Sequence, residues 1–101
     1  MNIMITGRHI EVTESLKEYV FQKFKKIERH ASDINKIHVI LIIENKHSKQ
    51  PDHTAEATLN TIKGQVVAHC TTKDMYASIH KVVEKMDRQI IDIKNKEKET
   101  A

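Results

Sequence analysis

The chain has 101 residues, of which 39% are hydrophobic and 31% are charged. A chain of this length holds one domain with a small core, which excludes a two-domain enzyme. The longest apolar run, Val39 to Ile43, is far shorter than the roughly 20 residues of a membrane helix, so no membrane span is expected. Cys70 is the only cysteine, and the N-terminus lacks the pattern of a signal peptide. These features favour a reducing cytoplasm.

The net charge of +3 comes from 17 basic and 14 acidic side chains, and the surplus is confined to two segments. Residues 14–30 hold five basic and three acidic side chains, and residues 73–101 hold seven and six. Both segments have helical periodicity. Any basic surface on this protein is therefore expected to be made by helices.

The first half of the chain predicts a strand, a helix and a second strand. Alternating residues predict a strand over Asn2–Gly7, after which Gly7 turns the chain. Thr13 is a suitable N-cap for a helix that continues to about His30. The apolar stripe of this helix consists of Leu16, Val20, Phe24 and Ile27. The next alternating segment, Ile34–Asn45, is long enough for a central strand.

The second half predicts two more strands and a long helix. The strands are expected at His53–Ile62 and Gln65–Thr72, joined by a tight turn at Lys63-Gly64, and they complete an antiparallel meander. Asp74 is a natural N-cap for the helix. Its apolar stripe consists of Met75, Ile79, Val82, Met86, Ile90 and Ile93.

The order βαβββα predicts an α+β two-layer sandwich, with a four-stranded sheet and two helices packed on one face. Because each helix has a single apolar stripe, both must cover the same sheet. The residues after Ile93 are almost entirely polar. We therefore expect one domain over residues 1–95 and a frayed tail over residues 96–101.

Cationic side chains on the outer helix faces are the main candidates for a binding site. The second helix places Lys81, Lys85 and Arg88 on one stripe, where like charges repel unless a phosphate-bearing partner is present. With Lys25, Lys26 and Arg29 of the first helix, six cations would line a groove between the helices. From charge alone, an ordinary solvated surface explains the pattern equally well.

Few aromatic residues accompany these cations. With two Tyr and two Phe in the chain, recognition of single strands by base stacking is poorly supported, and phosphate contacts to a folded RNA fit better. We expect Tyr76, in the first turn of the second helix, to lie at the edge of the core.

No motif for catalysis or metal binding is recognisable. The seven histidines form no His-x-His or His-x-x-x-His pair, and the chain has no glycine-rich phosphate loop or nucleophile elbow. The sequence therefore predicts a protein that is not an enzyme and that binds no metal, cofactor or small-molecule substrate.

Several segments resemble the ribosome hibernation promoting factor family, to which ribosome-associated inhibitor A is related. The most specific is Asp74-Met75-Tyr76-Ala77-Ser78-Ile79, with Lys85, Arg88 and Gln89 downstream. Weaker matches are Ile5–Gly7, Val12–Leu16, Phe24–Glu28 and Ala55–Leu59. The resemblance covers nearly the whole chain, although His80 and Ser78 stand where the family usually has aspartate and alanine.

This resemblance implies a protein that binds the small ribosomal subunit in the channel for messenger and transfer RNA and stops translation in non-growing cells. It assigns contacts with ribosomal RNA to Lys23, Lys26, Lys81, Lys85 and Arg88, with Lys25 and Arg29 beside them. Since the chain ends at Ala101, it resembles the short form of the family. Members of that form promote inactive ribosome dimers together with ribosome modulation factor.

Two other functions fit parts of the sequence. A double-stranded RNA-binding domain has the order αβββα, which this chain contains, although only Lys73 precedes Asp74 where that class has a lysine-rich helix start. A protein-binding regulator would instead use the sheet face away from the helices, where Ile40, Ile42 and Val67 are expected.

Overall fold

Six elements form in the predicted order. The computed structural model describes residues 2–30, 34, 36–45, 49–61 and 64–100, without the side chains of residues 97–100. The elements are β1 (Asn2–Arg8), α1 (Glu14–His30), β2 (Lys36–Glu44), β3 (Asp52–Thr61), β4 (Gly64–Thr72) and α2 (Met75–Thr100). Lys63 of the predicted turn and Ile62 at the end of the predicted third strand lie outside the described residues.

The four strands form one sheet in the order β1-β2-β3-β4. β1 pairs with β2 in parallel, and the other two pairs are antiparallel, which confirms the predicted meander. A parallel pair needs a long crossover connection, and α1 provides it. In the register, Ile37 pairs with Leu59, and Leu59 pairs with Val66. Ile37, Leu59 and Val66 are buried and lie on the sheet face that the helices cover.

The apolar stripes of both helices pack onto this face of the sheet. All four predicted residues of α1 are buried, and in α2 the stripe from Met75 to Ile90 is buried as well. Ile93, which we expected to continue that stripe, is 41% exposed, so this part of the prediction was wrong. The helix continues to Thr100. After Ile90 it therefore extends beyond the layer against which it packs.

α1 and α2 run side by side in the same direction. The Tyr19 ring contacts the Tyr76 ring near the start of each helix, and His30 contacts Asp87 further along. The two contacts are 11 residues apart in each helix, from Tyr19 to His30 and from Tyr76 to Asp87. Residue numbers that face each other therefore differ by the same amount along both helices, as they do when helices are parallel. At 1.5 Å of rise per residue, the contacts lie about 16 Å apart.

The turn after β1 is made by His9 and not by Gly7, as we had predicted. His9 has a φ of 59°, a left-handed conformation that histidine adopts more often than most residues. Gly7 remains within β1, where a Cβ atom would lie 2.6 Å from the carbonyl oxygen of Ile10 and 2.8 Å from Cγ2 of Val12. Its role is to let the chain pass closely over β1 on the way to α1.

The first turn of α2 is anchored to the sheet by Ser78, which is fully buried. Its Oγ donates a hydrogen bond of 2.6 Å to the carbonyl oxygen of His53 on β3. The same Oγ lies 2.7 Å from Oγ1 of Thr72 on β4. One hydroxyl group thus connects the helix to two strands.

We expect Ser78→Ala to lower the free energy of unfolding by about 1 kcal/mol, because it removes these hydrogen bonds and leaves the volume of the site nearly unchanged. Urea denaturation measures the change. Ser15→Ala, at an exposed position of α1, is the matched control and should stay within about 0.5 kcal/mol of wild type. Equal stability of the two variants would contradict the anchoring role.

The sheet face opposite the helices carries both apolar and polar side chains. Ile40 is half-buried and Val67 is exposed, and Oγ1 of Thr6 lies 2.9 Å from Nε2 of His38. Ile40, Ile42 and Val67 alternate along β2 and β4 with core residues, as predicted, but Ile42 is only 7% exposed, so this face is not open along its whole length. Among the described residues, no helix has the length and apolar character needed to span a bilayer.

Candidate nucleic-acid interface

An open groove of about 320 Å³ runs between the two helices. α1 contributes Gln22, Lys23 and Lys26, and α2 contributes His80, Val83 and Glu84. We refer to these six residues as the interhelical groove. Lys23 and Lys26 project into it because they lie on the flank of α1 that faces α2, one turn apart.

A second depression, of about 350 Å³, lies on the outer surface of α2. It is lined by Lys81, Lys85 and Arg88, which we call the outer basic stripe, together with Glu84. Three like charges on one helix stripe repel each other, and Glu84 compensates only part of this repulsion. The stripe is therefore suited to an anionic partner such as a phosphate backbone.

The prediction that six cations line one groove was wrong. Of those six, only Lys26 lines the interhelical groove, and the outer basic stripe is separate from it. Lys25 and Arg29 are exposed on α1 and line neither depression. Successive residues of a helix point about 100° apart, so Lys25 points to solvent where Lys26 points towards α2. The cations thus form a broad surface with Glu84 between its two parts.

Asp87 is a buried carboxylate between the helices that the sequence did not mark as important. It is 5% exposed, and its Oδ1 lies 2.6 Å from Nδ1 of His30. Its Oδ2 lies 3.9 Å from Nζ of Lys26. A buried carboxylate requires such partners. Asp87 therefore connects α2 to the end of α1 and holds Lys26 at the edge of the interhelical groove.

We expect Asp87→Ala to lower the free energy of unfolding by about 1 kcal/mol, less than a charged hydrogen bond usually contributes, because His30 and Lys26 are both partly exposed. Chemical denaturation measures this change. The exposed Asp92 on the same helix provides the control Asp92→Ala, and equal stability of both variants would argue against the link between the helices.

Lys85 has a second role at the edge of the sheet. Its Nζ donates a hydrogen bond of 3.0 Å to the carbonyl oxygen of His69, and Nε2 of Gln89 donates one of 3.1 Å to the carbonyl oxygen of Val67. These carbonyls belong to edge strand β4. Side chains that bind the free groups of an edge strand protect it from pairing with another chain. The amine of Lys85 is therefore partly committed to the fold.

The Asp74-Met75-Tyr76 motif divides into structural and exposed parts. Oδ2 of Asp74 accepts a hydrogen bond of 3.1 Å from the backbone N–H of Ala77, which confirms the predicted N-cap. Met75 is buried in the core. Tyr76 lies beside the core, as expected, yet it remains 39% exposed, one turn before His80 of the interhelical groove. The contact with Tyr19 was not foreseeable, because 56 residues separate the two in the sequence.

Potential metal ligands do not cluster in the described part of the chain. Across residues 2–30, 34, 36–45, 49–61 and 64–100, no three His, Cys, Asp or Glu side chains lie close enough together to hold a metal ion. The carboxylate and histidine pairs that do form, His30 with Asp87 and His80 with Glu84, each join two side chains. The absence of enzymatic activity stays a prediction.

Comparison with known proteins gives a consistent result. A sequence model of the family described as sigma 54 modulation protein / S30EA ribosomal protein matches residues 3–98. The chain is 37% identical over 99 residues to ribosome hibernation promoting factor of Escherichia coli K12, which covers 98% of this chain and 99% of that protein. It is 39% identical over 99 residues to the protein of the same name from Pseudomonas putida, with coverage of 98% and 90%.

Two solved structures share the fold. A ribosomal subunit interface protein from Coxiella burnetii superposes with a TM-score of 0.83 over 94% of this chain and 99% of that chain, at 23% identity. The N-terminal domain of Protein Y from Thermus thermophilus superposes with a TM-score of 0.72 over 89% and 96% of the chains, at 24% identity. At these identities the likeness concerns the fold.

Proposed function

Because the chain belongs to the sigma 54 modulation protein and S30EA ribosomal protein family, we propose that it binds the small ribosomal subunit through the cationic surface of α1 and α2. Bound in the channel for messenger and transfer RNA, it blocks translation by occupying their place. The observation that carries this proposal is the pairing of Lys23 and Lys26 in the interhelical groove with the outer basic stripe beside them.

The mechanism we propose is steric. The two parallel helices form one side of the molecule, and α2 alone spans about 39 Å at 1.5 Å per residue. Phosphate contacts fix the position of a protein on a folded RNA without any chemical step. We therefore propose that the protein is not an enzyme. We also propose that it acts in the cytoplasm, where ribosomes are.

The contacts with ribosomal RNA are assigned to the cations of both helices. In this proposal Lys23, Lys26, Lys81 and Arg88 bind phosphates directly, and Lys25 and Arg29 extend the positive surface on α1. Lys85 contributes charge while its amine holds β4. The family match over residues 3–98 favours this proposal over the alternatives of a double-stranded RNA-binding domain and a sheet-face regulator.

Co-sedimentation with purified small subunits across a range of salt concentrations tests this function. Four neutralised phosphates, one for each directly bound cation, predict that log affinity falls with log salt with a slope of about −2.8 to −3.6. Saturable binding of one protein per subunit with such a slope supports the proposal. Failure to pellet with subunits at low salt would refute it, and a slope near zero would exclude phosphate contacts as the basis of binding.

Promotion of inactive ribosome dimers together with ribosome modulation factor is the finer part of the proposal. Sucrose-gradient sedimentation of whole ribosomes with either protein alone and with both together measures it. More dimers with both proteins than with ribosome modulation factor alone are expected. Fewer dimers would identify a protein that opposes ribosome pairing.

A further inference from the structure

The only two tyrosines of the chain meet one helical turn before Lys23 and His80 of the interhelical groove. The centroids of the Tyr19 and Tyr76 rings are 4.9 Å apart, and the rings are inclined at 85°. In such an edge-to-face pair, the edge of one ring lies against one face of the other. Whichever ring presents its edge, at least one face of Tyr76 is left uncovered by Tyr19.

Tyr76 is the more exposed tyrosine of this pair. Tyr76 is 39% exposed, whereas Tyr19 is partly buried and packs against the core. A tyrosine that serves mainly as a core residue buries its ring. An aromatic face supported from the side by a second ring is instead suited to receive another flat group.

Two lysines of α1 lie on the helix flank beside the pair. Nζ of Lys23 lies 5.4 Å from the centroid of the Tyr19 ring, and Lys26 follows one turn further along the same flank of α1. On α2, His80 lies one turn after Tyr76 and lines the same groove, where its Nε2 lies 2.7 Å from Oε1 of Glu84. An aromatic face therefore lies beside a helix flank that carries two lysines, the combination by which proteins hold unpaired nucleotides.

We propose that Tyr76, supported by Tyr19, stacks against a single unpaired RNA base whose adjoining phosphates follow Lys23 and Lys26 along the interhelical groove. This inference rests on the function proposed above and specifies its ligand as an unstacked nucleotide of a folded RNA. Base-paired RNA would not satisfy the site, because its bases are already stacked on each other. Stacking accepts any base, with larger bases offering more contact area.

Fluorescence tests the site directly, because the chain has two tyrosines and no tryptophan. The emission of the wild-type protein therefore reports on this pair alone. We compare a short oligoadenylate with an abasic oligonucleotide of the same length and charge. Quenching by oligoadenylate alone, with about tenfold tighter binding than the abasic probe, is expected from one stacked base. Equal affinity for the two probes would overturn the inference.

Variants extend the test to purified small subunits. Tyr76→Ala should weaken binding about tenfold, whereas Tyr76→Phe should bind like wild type because it retains the ring. Phe21 is an aromatic residue of α1 that is 44% exposed and, two residues after Tyr19, points to another side of the helix, so Phe21→Ala is the matched control and should have no effect. A loss with Phe21→Ala as large as with Tyr76→Ala would also overturn the inference.

Failure of this site can be distinguished from failure of the proposed function. If the wild-type protein pellets with small subunits and Tyr76→Ala pellets equally well, the stacking site is wrong and the phosphate contacts stand. If the wild-type protein does not pellet, the proposed function is wrong, and the stacking site falls with it.

Discussion

Replacing Lys81 and Arg88 together by glutamine is expected to weaken binding to the small ribosomal subunit about 25- to 60-fold at 0.1 M salt. Each cation that neutralises a phosphate contributes about 0.7 to 0.9 to the slope of log affinity against log salt. For two contacts, this contribution raises log affinity by about 1.4 to 1.8 when the salt concentration falls from 1 M to 0.1 M. The double variant loses this gain. The slope itself should become shallower by the same amount. Co-sedimentation across salt measures both changes.

The matched control removes two charges from elsewhere on the molecule. Arg8 and Lys36 are exposed, and they alternate in β1 and β2 with residues that face the helices. Arg8→Gln with Lys36→Gln should leave affinity and slope nearly unchanged, although the net charge falls by the same amount. Equal losses in both double variants would mean that binding responds to net charge and that the outer basic stripe is not a contact surface. Lys85 stays unchanged in this design because its amine holds β4.

Gly7→Ala is expected to lower the free energy of unfolding by about 2 kcal/mol, the largest effect that we expect on stability from a single methyl group. The new Cβ would lie 2.6 Å from the carbonyl oxygen of Ile10, which is a backbone atom. The chain between β1 and α1 would have to move away, and overpacking of this kind costs about 1 to 3 kcal/mol. Urea denaturation followed by circular dichroism measures the change.

A second substitution, at Val12, tests which contact of the new Cβ lowers the stability of Gly7→Ala. A second contact of the new Cβ, at 2.8 Å, is with the Val12 side chain. Val12→Ala should therefore recover only part of the loss in the double variant, because the contact with Ile10 is with the backbone. Arg8→Ala, at the neighbouring exposed position, should stay within about 0.5 kcal/mol of wild type. A Gly7→Ala protein as stable as this control would show that the approach of the two segments is not tight.

Local patterns in the sequence were sufficient for the elements and their order. Alternation of side chains in a strand and their 3.6-residue period in a helix are properties of the backbone, so they can be recognised without knowledge of the partner. The stripe of Leu16, Val20, Phe24 and Ile27 is buried as predicted, and Asp74 caps α2 as predicted. The candidate cations are likewise visible in the sequence because charge is a property of the residue.

The assembly of these residues into a site depended on how the helices pack. The sequence left open whether α1 and α2 run parallel or antiparallel, and that choice decides which residues face each other across the groove. With parallel helices, Tyr19 meets Tyr76 and His30 meets Asp87. An antiparallel arrangement would have paired the start of one helix with the end of the other. Contacts between distant residues are set by the three-dimensional arrangement of the elements, and no single segment contains that information.

The incorrect predictions for Ile93 and Gly7 also arose because local patterns do not show which part of the fold lies opposite a residue. Ile93 has the periodicity of a core residue, but α2 has extended beyond the packed layer at that point. Glycine is typical of turns, but His9 makes the turn after β1. Gly7 is needed for its small size, because the chain passes closely over β1 at this point. The sequence of this protein determined its elements, its core faces and its cationic residues. Only the tertiary structure decided which of them meet, because burial and contact depend on the layer that lies opposite each residue.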